Sequence, residues 1–257
     1  MNTIAHNDNG WWVIENGQVN FGYNGLASNQ NGLWYCVNGK VDFSYNDDNF
    51  QYNNYTYKIV NGKAHKLENA VFFGDSVAFG TSITQQERYS KLLCDMLDLE
   101  EKNFAVGGAG FSGCGYMKNT YFIPNQVNNS MSYQERQQTQ FVFIEGGFND
   151  FNNGFDNILL TINNLDNMIY QVKNLYPNAK IYLLYGDDGP GSLSFRDNYD
   201  LAVKLINLYY ENYFDIYVLE DFNLLLNYDK NYFSDYVHPN AIGHKVIADW
   251  LYENIQW

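Results

Sequence analysis

The chain has 257 residues, of which 46% are hydrophobic, and its 15 lysines and arginines against 29 aspartates and glutamates give a net charge of −14. This acidic balance argues against nucleic acid and anionic membrane surfaces as partners, because both are recognised through basic side chains. No apolar run is long enough for a transmembrane helix, and the three cysteines, Cys36, Cys94 and Cys114, have no metal-binding spacing.

The first part of the chain repeats itself. The stretch NGWWVIENGQVNFGYN (9–24) is followed 22 residues further on by NGLWYCVNGKVDFSYN (31–46), and a weaker third copy ends in YKIVNGKA (57–64). Each copy places an Asn-Gly pair between two short aromatic segments; the pairs are Asn16-Gly17, Asn38-Gly39 and Asn61-Gly62. Because Asn and Gly tolerate positive φ, these pairs predict tight type I′ β-hairpins.

Apolar residues alternate with other residues after the first two turns, which predicts one buried face per strand. The alternating residues are Val19, Phe21 and Tyr23 in the first copy and Val41, Phe43 and Tyr45 in the second. A single hairpin cannot bury such a face alone, so neighbouring copies are expected to stack on one another.

These repeats resemble the aromatic hairpin repeats of bacterial cell-surface modules, such as choline-binding and glucan-binding repeats, over about residues 7–66. The resemblance implies binding to cell-wall or other extracellular polysaccharide, with Trp11, Trp12, Trp34 and Tyr35 as candidate binding residues. The alternative is that these rings only hold the hairpins together. The repeats also suggest a secreted or cell-surface protein. Because no signal peptide is visible and the chain begins within a repeat, we expect it to be part of something longer.

Composition changes near residue 67, and we predict a hairpin-repeat module over 1–67 and a second domain over 68–257. In the second domain short apolar strands alternate with helical patterns, which predicts an α/β fold with a parallel sheet. The predicted strands are Ala70–Gly74, Asn103–Val106, Phe141–Glu145, Lys180–Tyr185 and Ile216–Leu219. The predicted helices are Thr84–Leu99, Phe155–Tyr176, Leu193–Tyr213 and Pro239–Ile255.

Polar and glycine-rich motifs follow the first three of these strands and precede the last helix. They are Gly74-Asp75-Ser76, AVGGAGFSG (105–113), EGGFNDF (145–151) and DYVHPN (235–240). Active sites of parallel α/β sheets lie at the carboxyl ends of the strands, so these motifs are expected to meet.

The residue types in these motifs suit nucleophilic catalysis on a carbonyl group. The hydroxyl of Ser76 needs a base to take its proton, and His238 is the best candidate, with Asp235 to orient its imidazole ring. A tetrahedral intermediate carries an oxyanion that needs preorganised donors. The backbone N–H groups of Ser76 and Gly108 and the side-chain amide of Asn149 are the candidates.

The four motifs resemble the sequence blocks of the SGNH, or GDSL, hydrolase family of esterases and lipases, over about residues 70–257. GDS (74–76) resembles the first block, NFAVGG (103–108) the second, GGFND (146–150) the third and Asp235-Tyr-Val-His238 the fifth. The resemblance implies a flavodoxin-like three-layer α/β/α fold with strand order 2-1-3-4-5. It also implies ester hydrolysis by a Ser-His-Asp triad without a metal or cofactor.

Two other motif interpretations are weaker. Gly108-x-Gly110-x-x-Gly113 fits a dinucleotide-binding fingerprint, but the following residues show no helical period and contain Pro124. The pentad Gly-x-Ser-x-Gly of other lipases is absent, since residues 74–78 read GDSVA. Asp75 is interpreted as a carboxylate that braces the loop. The role of Glu145 and of residues 185–195 stays open.

We therefore expect an extracellular esterase acting on a small ester or an acylated carbohydrate, with O-acetyl groups on a glycan as the favoured substrate. The repeats provide the only argument for carbohydrate. The alternative function is a wall- or glycan-binding protein whose α/β domain is not catalytic.

Overall fold

The computed structural model describes residues 3–53, 55–111, 123–127, 131–151, 158–185, 204–205, 208, 210, 216–219, 225–227 and 229–256. The chain forms two compact units. The repeat unit comprises Met1–Leu67 together with Tyr133–Gln138, and the α/β unit comprises Glu68–Ser132 and Thr139–Trp257.

The repeat unit contains a sheet of short strands. They are β1 (Thr3–Asn7), β2 (Gly10–Glu15), β3 (Gln18–Val19), β4 (Gly25–Asn29), β5 (Gly32–Val37), β6 (Lys40–Val41), β7 (Asp47–Tyr52), β8 (Tyr55–Val60) and β9 (Lys63–Lys66). The strands are ordered β3-β2-β1-β4-β5-β9-β8-β7, and β6 pairs with both β2 and β5. The helix α3 (Tyr133–Gln137) also belongs to this unit.

The predicted type I′ turns are confirmed. Asn16 and Gly17 have φ of 51° and 81°, Asn38 and Gly39 have 48° and 76°, and Asn61 has 50°. The residues that flank each pair face one another across the hairpin. The Asn-Gly pairs therefore fix the register of all three hairpins.

Neighbouring repeats are joined by the same hydrogen bonds at two successive junctions. At the first junction, the N–H of Gly39 donates to the carbonyl of Tyr23 at 2.8 Å, and its own carbonyl accepts from Val13 at 2.8 Å. At the second junction, the N–H of Gly62 donates to the carbonyl of Tyr45 at 2.9 Å, and the carbonyl of Gly62 accepts from the N–H of Tyr35 at 2.8 Å. Each turn is therefore docked into the preceding repeat, as the stacking prediction requires.

The structure corrects the prediction that an alternating face continues beyond each turn. The strands end at Val19 and Val41, and Phe21 and Phe43 are 65% and 48% exposed. The side chain of Asn20 accepts the N–H of Gly22 at 3.0 Å, which forms a turn in place of a continued strand.

The α/β unit is built on a five-stranded parallel sheet. Its strands are β10 (Asn69–Phe73), β11 (Glu100–Asn103), β12 (Thr139–Gly146), β13 (Lys180–Tyr185) and β14 (Ile216–Leu219), in the order β11-β10-β12-β13-β14. This order is the one that the resemblance implies. Every neighbouring pair is parallel, so the strands end at one edge of the sheet.

The helices of this unit are α1 (Ser76–Phe79), α2 (Tyr89–Leu97), α4 (Phe148–Phe151), α5 (Ile158–Leu175) and α6 (Ala241–Asn254), with short 3₁₀ turns at Gln85–Glu87, Ile123–Val127 and Lys230–Tyr232. Alternate residues of β10, the strand between β11 and β12, enter two buried clusters. Val71 and Phe73 pack with α5, and Ala70 and Phe72 pack with α2 and α6. No helix within the described residues is long and apolar enough to cross a membrane.

Two predicted elements differ from the structure, and a third cannot be compared with it over most of its length. The predicted helix Thr84–Leu99 is broken at Arg88, whose backbone is extended with ψ of 145°. The predicted strand Asn103–Val106 is displaced to Glu100–Asn103, because the Asn103 side chain accepts the N–H of Ala105 at 3.0 Å and ends the strand there. Most of the predicted helix Leu193–Tyr213 lies outside the described residues.

Candidate active site

Ser76 lies at the first position of α1, directly after the buried strand β10. All five residues of β10 are buried, and the chain then turns through Gly74, Asp75 and Ser76, which we call the serine turn. The Asp75 carboxylate caps α1 by accepting the N–H of Val77 at 3.0 Å. The strand end and the cap together hold Ser76 at the edge of the sheet where the strands end.

Gly74 is confined on two sides. A Cβ atom at this position would lie 2.8 Å from Ala78 Cβ, 2.8 Å from Glu145 Oε2 and 2.9 Å from the carbonyl oxygen of Glu145. The side chain of Gln126 holds the Gly74 backbone from another direction. Its Nε2 donates to the Gly74 carbonyl at 2.7 Å and its Oε1 accepts the Gly74 N–H at 2.8 Å.

Glu145 braces the serine turn from the end of β12. It is 1% exposed, and its Oε2 accepts the backbone N–H of Ala78 at 3.2 Å and that of Asp75 at 3.4 Å. The open question about Glu145 is therefore answered in structural terms, because its carboxylate contacts the backbone on both sides of Ser76.

Burial raises the pKa of Asp75 to about 6, against the lowering effect of hydrogen bonds with Val77 and Glu145. The charge of Asp150 also raises this pKa, and the charge of His238 lowers it.

Residues 104–111, which follow β11 and which we call the glycine loop, pass close to Ser76. A Cβ atom placed on Gly107 would lie 4.0 Å from Ser76 Cβ. Gly108 has φ of +77°, a conformation that favours glycine, and a Cβ there would have open space around it. No described acceptor receives the backbone N–H of Gly108 or of Ser76, so both remain available to a bound oxygen atom.

Asn149 lies in α4, just beyond the end of β12. Its Nδ2 donates to Asp75 Oδ2 at 3.1 Å and to the carbonyl of Ala109 at 2.8 Å. Asn149 thus joins the serine turn to the glycine loop. Its neighbour Asp150 is fully buried and accepts the N–H of Phe111 at 2.9 Å, which holds the far side of the same loop.

Asp235 and His238 form a preorganised pair before α6. His238 Nδ1 lies 2.7 Å from Asp235 Oδ2, while Asp235 Oδ1 accepts the N–H groups of Val237 and His238 at 2.7 Å each. Burial raises the pKa of Asp235, but the hydrogen bonds from His238 and Val237 outweigh it and leave the pKa below its ordinary value. The carboxylate therefore stays charged and fixes the orientation of the ring.

The structure brings together Ser76, the glycine loop and Asn149, and separately the Asp235–His238 pair. No hydrogen bond joins the Ser76 hydroxyl to His238, although both lie within the described residues. The sequence analysis missed Gln126, for which no local signal exists, and left Glu145 unassigned. Residues 186–195 of the open 185–195 region lie outside the described residues.

Two of the aromatic residues predicted to bind glycan have equivalent surroundings in successive repeats. The ring of Trp12 meets Phe21 edge-on at 5.6 Å, and Lys40 Nζ lies 5.3 Å from its centroid. The ring of Trp34 meets Phe43 edge-on at 5.5 Å. Lys63 Nζ lies 5.9 Å from the Trp34 centroid, so the second repeat carries the same arrangement.

Trp11 and Tyr35, the other two, have different environments. Trp11 is half-buried against Ile4 and its neighbours, and its ring is 4.9 Å from that of His6. Tyr35 stacks on Tyr45 at 3.9 Å.

Two different sequence families match the chain, one in each of the two units. A profile for the GDSL-like lipase/acylhydrolase family matches residues 72–246, more than half of the chain. The chain belongs to this family. A choline-binding repeat profile matches residues 1–20 and 22–42, so both resemblances drawn from the motifs are confirmed. No curated protein matches this GDSL-family chain.

Solved structures of GDSL-family and carbohydrate-esterase proteins share the fold of this chain. A family two carbohydrate esterase from Clostridium thermocellum in complex with cellohexaose has a TM-score of 0.55 and 19% identity, over 78% of this chain and 66% of that one. A family two carbohydrate esterase from Cellvibrio japonicus has a TM-score of 0.57 and 17% identity, over 75% of this chain and 64% of that one. A GDSL-family protein from Veillonella parvula has a TM-score of 0.55 and 16% identity, over 73% of this chain and 98% of that one. The chain spans less than two thirds of either carbohydrate esterase.

Proposed function

We propose that this chain is an esterase that removes short acyl groups, acetyl in particular, from carbohydrate, with a triad of Ser76, His238 and Asp235. The observation that carries the proposal is the 2.7 Å contact between His238 Nδ1 and Asp235 Oδ2. A neutral imidazole held in this way keeps its proton on Nδ1, so the lone pair on Nε2 is free to accept a proton from a hydroxyl.

The proposed reaction has two halves. Ser76 Oγ forms a bond to the ester carbonyl carbon while its proton moves to His238 Nε2, and the same proton then leaves with the alcohol as the ester bond breaks. Water repeats the sequence on the acyl-serine and releases the carboxylic acid. His238 has to come within hydrogen-bonding reach of Ser76 for this, and such contacts commonly tighten only when substrate is bound.

Three donors are proposed for the oxyanion. The backbone N–H groups of Ser76 and Gly108 have no described protein acceptor, and the two segments come close where a Cβ on Gly107 would lie 4.0 Å from Ser76 Cβ. Asn149 is the third, but Asp75 and Ala109 already accept from its Nδ2. Its contribution therefore requires one of these two hydrogen bonds to be shared with the substrate oxygen or released.

Carbohydrate is proposed as the alcohol part because two independent comparisons favour it. The structural neighbours include carbohydrate esterases, one of them solved with cellohexaose, and the N-terminal repeats match the choline-binding family. The same repeats support a secreted or cell-surface location, with a wall polysaccharide as a further partner. The two buried clusters on alternate residues of β10 support the three-layer flavodoxin-like arrangement.

Ester hydrolysis by wild type and by Ser76→Ala tests the proposal. Wild type should hydrolyse p-nitrophenyl acetate faster than p-nitrophenyl decanoate and should release acetate from acetylated cello-oligosaccharide, and Ser76→Ala should lose both activities. Ser28→Ala, at an exposed serine of β4, is the matched control and should retain them. Equal hydrolysis by wild type and Ser76→Ala would refute Ser76 as nucleophile.

The alternative is a glycan-binding protein whose α/β unit is not catalytic. It is favoured by the missing hydrogen bond between Ser76 and His238 and by the engaged amide of Asn149. Wall-polysaccharide binding by the whole chain, with no turnover of any ester in the panel, would select this function over the esterase.

A further inference from the structure

Three backbone N–H groups around Ser76 are bound by two buried carboxyl groups. Glu145 Oε2 accepts the N–H of Asp75 at 3.4 Å and that of Ala78 at 3.2 Å. Asp75 Oδ1 accepts the N–H of Val77 at 3.0 Å. The N–H of Ser76, which lies between these groups, has no acceptor among the described residues. The two carboxyl groups therefore hold the peptide groups on both sides of a proposed oxyanion donor.

These two carboxyl groups also contact each other. The side chains of Asp75 and Glu145 are hydrogen-bonded, and each residue is only 1% exposed. An ionised carboxylate is an acceptor only, so a hydrogen bond between two carboxyl groups requires a proton on one of them. Burial acts in the same direction, because two like charges in contact away from water strongly disfavour double ionisation. Both arguments favour a pair with one proton and one negative charge.

Three other titratable groups act on the pair. Tyr89, at the start of α2, is fully buried, and its pKa is raised well above the ordinary value, first by burial and then by the charges of Glu145 and Asp75. Its hydroxyl, which has no hydrogen-bond partner among the described residues, therefore stays neutral. The charge of Asp150 in α4 raises the pKa of Asp75, and the charge of His238 lowers it. A second carboxylate charge in the pair would add to the repulsion from Asp150.

We propose that Glu145 is a positioning residue for the proposed ester hydrolysis and that it shares one proton with Asp75. The shared proton joins the two carboxyl groups and leaves their other lone pairs to the N–H groups on both sides of Ser76. It also limits the charge at the site. Because the oxyanion is negative, a second carboxylate charge next to the Ser76 peptide group would oppose its formation. The inference rests on the proposed esterase function.

Two substitutions separate the proton from the shape of the side chain. Glu145→Gln keeps a donor for Asp75 and an acceptor for the backbone, as a protonated glutamate does, whereas Glu145→Leu keeps neither. At about pH 7, Glu145→Gln should keep kcat for p-nitrophenyl acetate within about threefold of wild type, and Glu145→Leu should lose at least about tenfold, with KM unchanged in both. At alkaline pH, wild type should lose kcat as the shared proton leaves, and Glu145→Gln should not.

Infrared difference spectroscopy detects the proton without any turnover. At neutral pH, wild type should show the C=O stretching band of a protonated carboxyl group that Glu145→Gln lacks. Glu101→Gln is the matched control, because Glu101 is an acid of β11 with a side chain only 5% exposed, and its carboxylate pairs with Arg88 at 2.8 Å. It should keep both the band and the alkaline loss of wild type.

A band of equal strength in wild type and Glu145→Gln, or the same alkaline loss in both, would overturn the inference. So would a loss of kcat in Glu145→Gln as large as in Glu145→Leu, since the charge itself would then be required. If Glu145→Leu does not fold, the comparisons with Glu145→Gln decide alone. No ester hydrolysis by wild type would instead refute the esterase, and with it the catalytic role of Glu145, while the infrared band would still decide the shared proton.

Discussion

Asn149 donates a hydrogen bond of 3.1 Å from Nδ2 to Oδ2 of Asp75, the residue that precedes the proposed nucleophile. This bond ties the end of the third strand of the parallel sheet to the serine turn. The second Nδ2 bond reaches Ala109, at the far side of the glycine loop. One amide therefore spans the two backbone segments that would surround an oxyanion.

Asn149→Ala should lower kcat for p-nitrophenyl acetate by about 10²–10³, because it removes both a proposed oxyanion donor and the link to Asp75. The melting temperature, measured in parallel, separates the two effects. If kcat is unchanged while the melting temperature falls, Asn149 is a structural residue and the oxyanion hole consists of backbone groups alone.

Asp235→Asn should lower kcat by about 10³–10⁴ with little change in KM. The variant keeps an acceptor for the backbone of Val237 and His238, but it removes the charge that holds the His238 ring. Steady-state kinetics check this expectation. Asp229→Asn provides a control, since Asp229 also caps a local turn, by accepting from Asn231 at 2.9 Å, and has no catalytic assignment. A small loss in Asp235→Asn, matching this control, would contradict the triad.

Gly74→Ala should destabilise the α/β unit by at least about 2–3 kcal/mol, because the added methyl group meets the backbone carbonyl of Glu145 at 2.9 Å. Chemical denaturation measures the loss. Adding Ala78→Gly to Gly74→Ala removes one of the short contacts but leaves the carbonyl, so it should restore only part of the stability. Full recovery in the double variant would show that the Glu145 backbone can move aside.

Gly39→Ala and Gly17→Ala isolate the docking of a repeat turn. Both glycines have positive φ, 76° and 81°, so both variants carry a similar conformational cost of about 1–2 kcal/mol. Only Gly39 is crowded, since a Cβ there would lie 2.1 Å from the carbonyl oxygen of Asn20, whereas Gly17 has open space. Gly39→Ala should therefore destabilise the repeat unit clearly more in thermal unfolding, and equal losses would argue against tight docking.

His244 should make the α/β unit less stable in acid. Burial lowers its pKa from 6.5 to about 3, helped by the positive charge of Arg88. Since the unfolded chain gains the proton first, the free energy of unfolding should fall as pH drops from about 6.5 towards 3, by at most about 1.4 kcal/mol per pH unit. His244→Gln removes this term and keeps an acceptor for the N–H of Tyr89, which His244 Nδ1 accepts at 3.1 Å. Urea denaturation across this pH range should show a smaller slope for His244→Gln, and identical slopes would refute the assignment.

Local sequence signals predicted the parts of the structure that local chemistry determines. The Asn-Gly pairs set the hairpin turns, and apolar runs located four of the five parallel strands. The fifth strand, Glu100–Asn103, was predicted too far along the chain. It lies at the sheet edge, where polar residues are tolerated, so its sequence is not an apolar run. One of them, Glu101, pairs with Arg88 at 2.8 Å.

Contacts distant in sequence could not be predicted. Gln126 reaches Gly74 across 52 positions, and Glu145 reaches Asp75 across 70. No local pattern marks a glutamine that will bind a backbone group so far away. The Asp235–His238 pair, three residues apart, was visible because its spacing is itself a signal.

The matching bonds at the two repeat junctions also bear on how firmly an array of such units could grip a polymer. Every added unit would join by the same contacts, so units would follow one another at a constant step. Several weak sites on one scaffold act at high effective concentration, so residence on a long chain rises steeply with the number of units. Individual contacts would then break and re-form quickly, and a domain tethered to such an array would move along the polymer without leaving it.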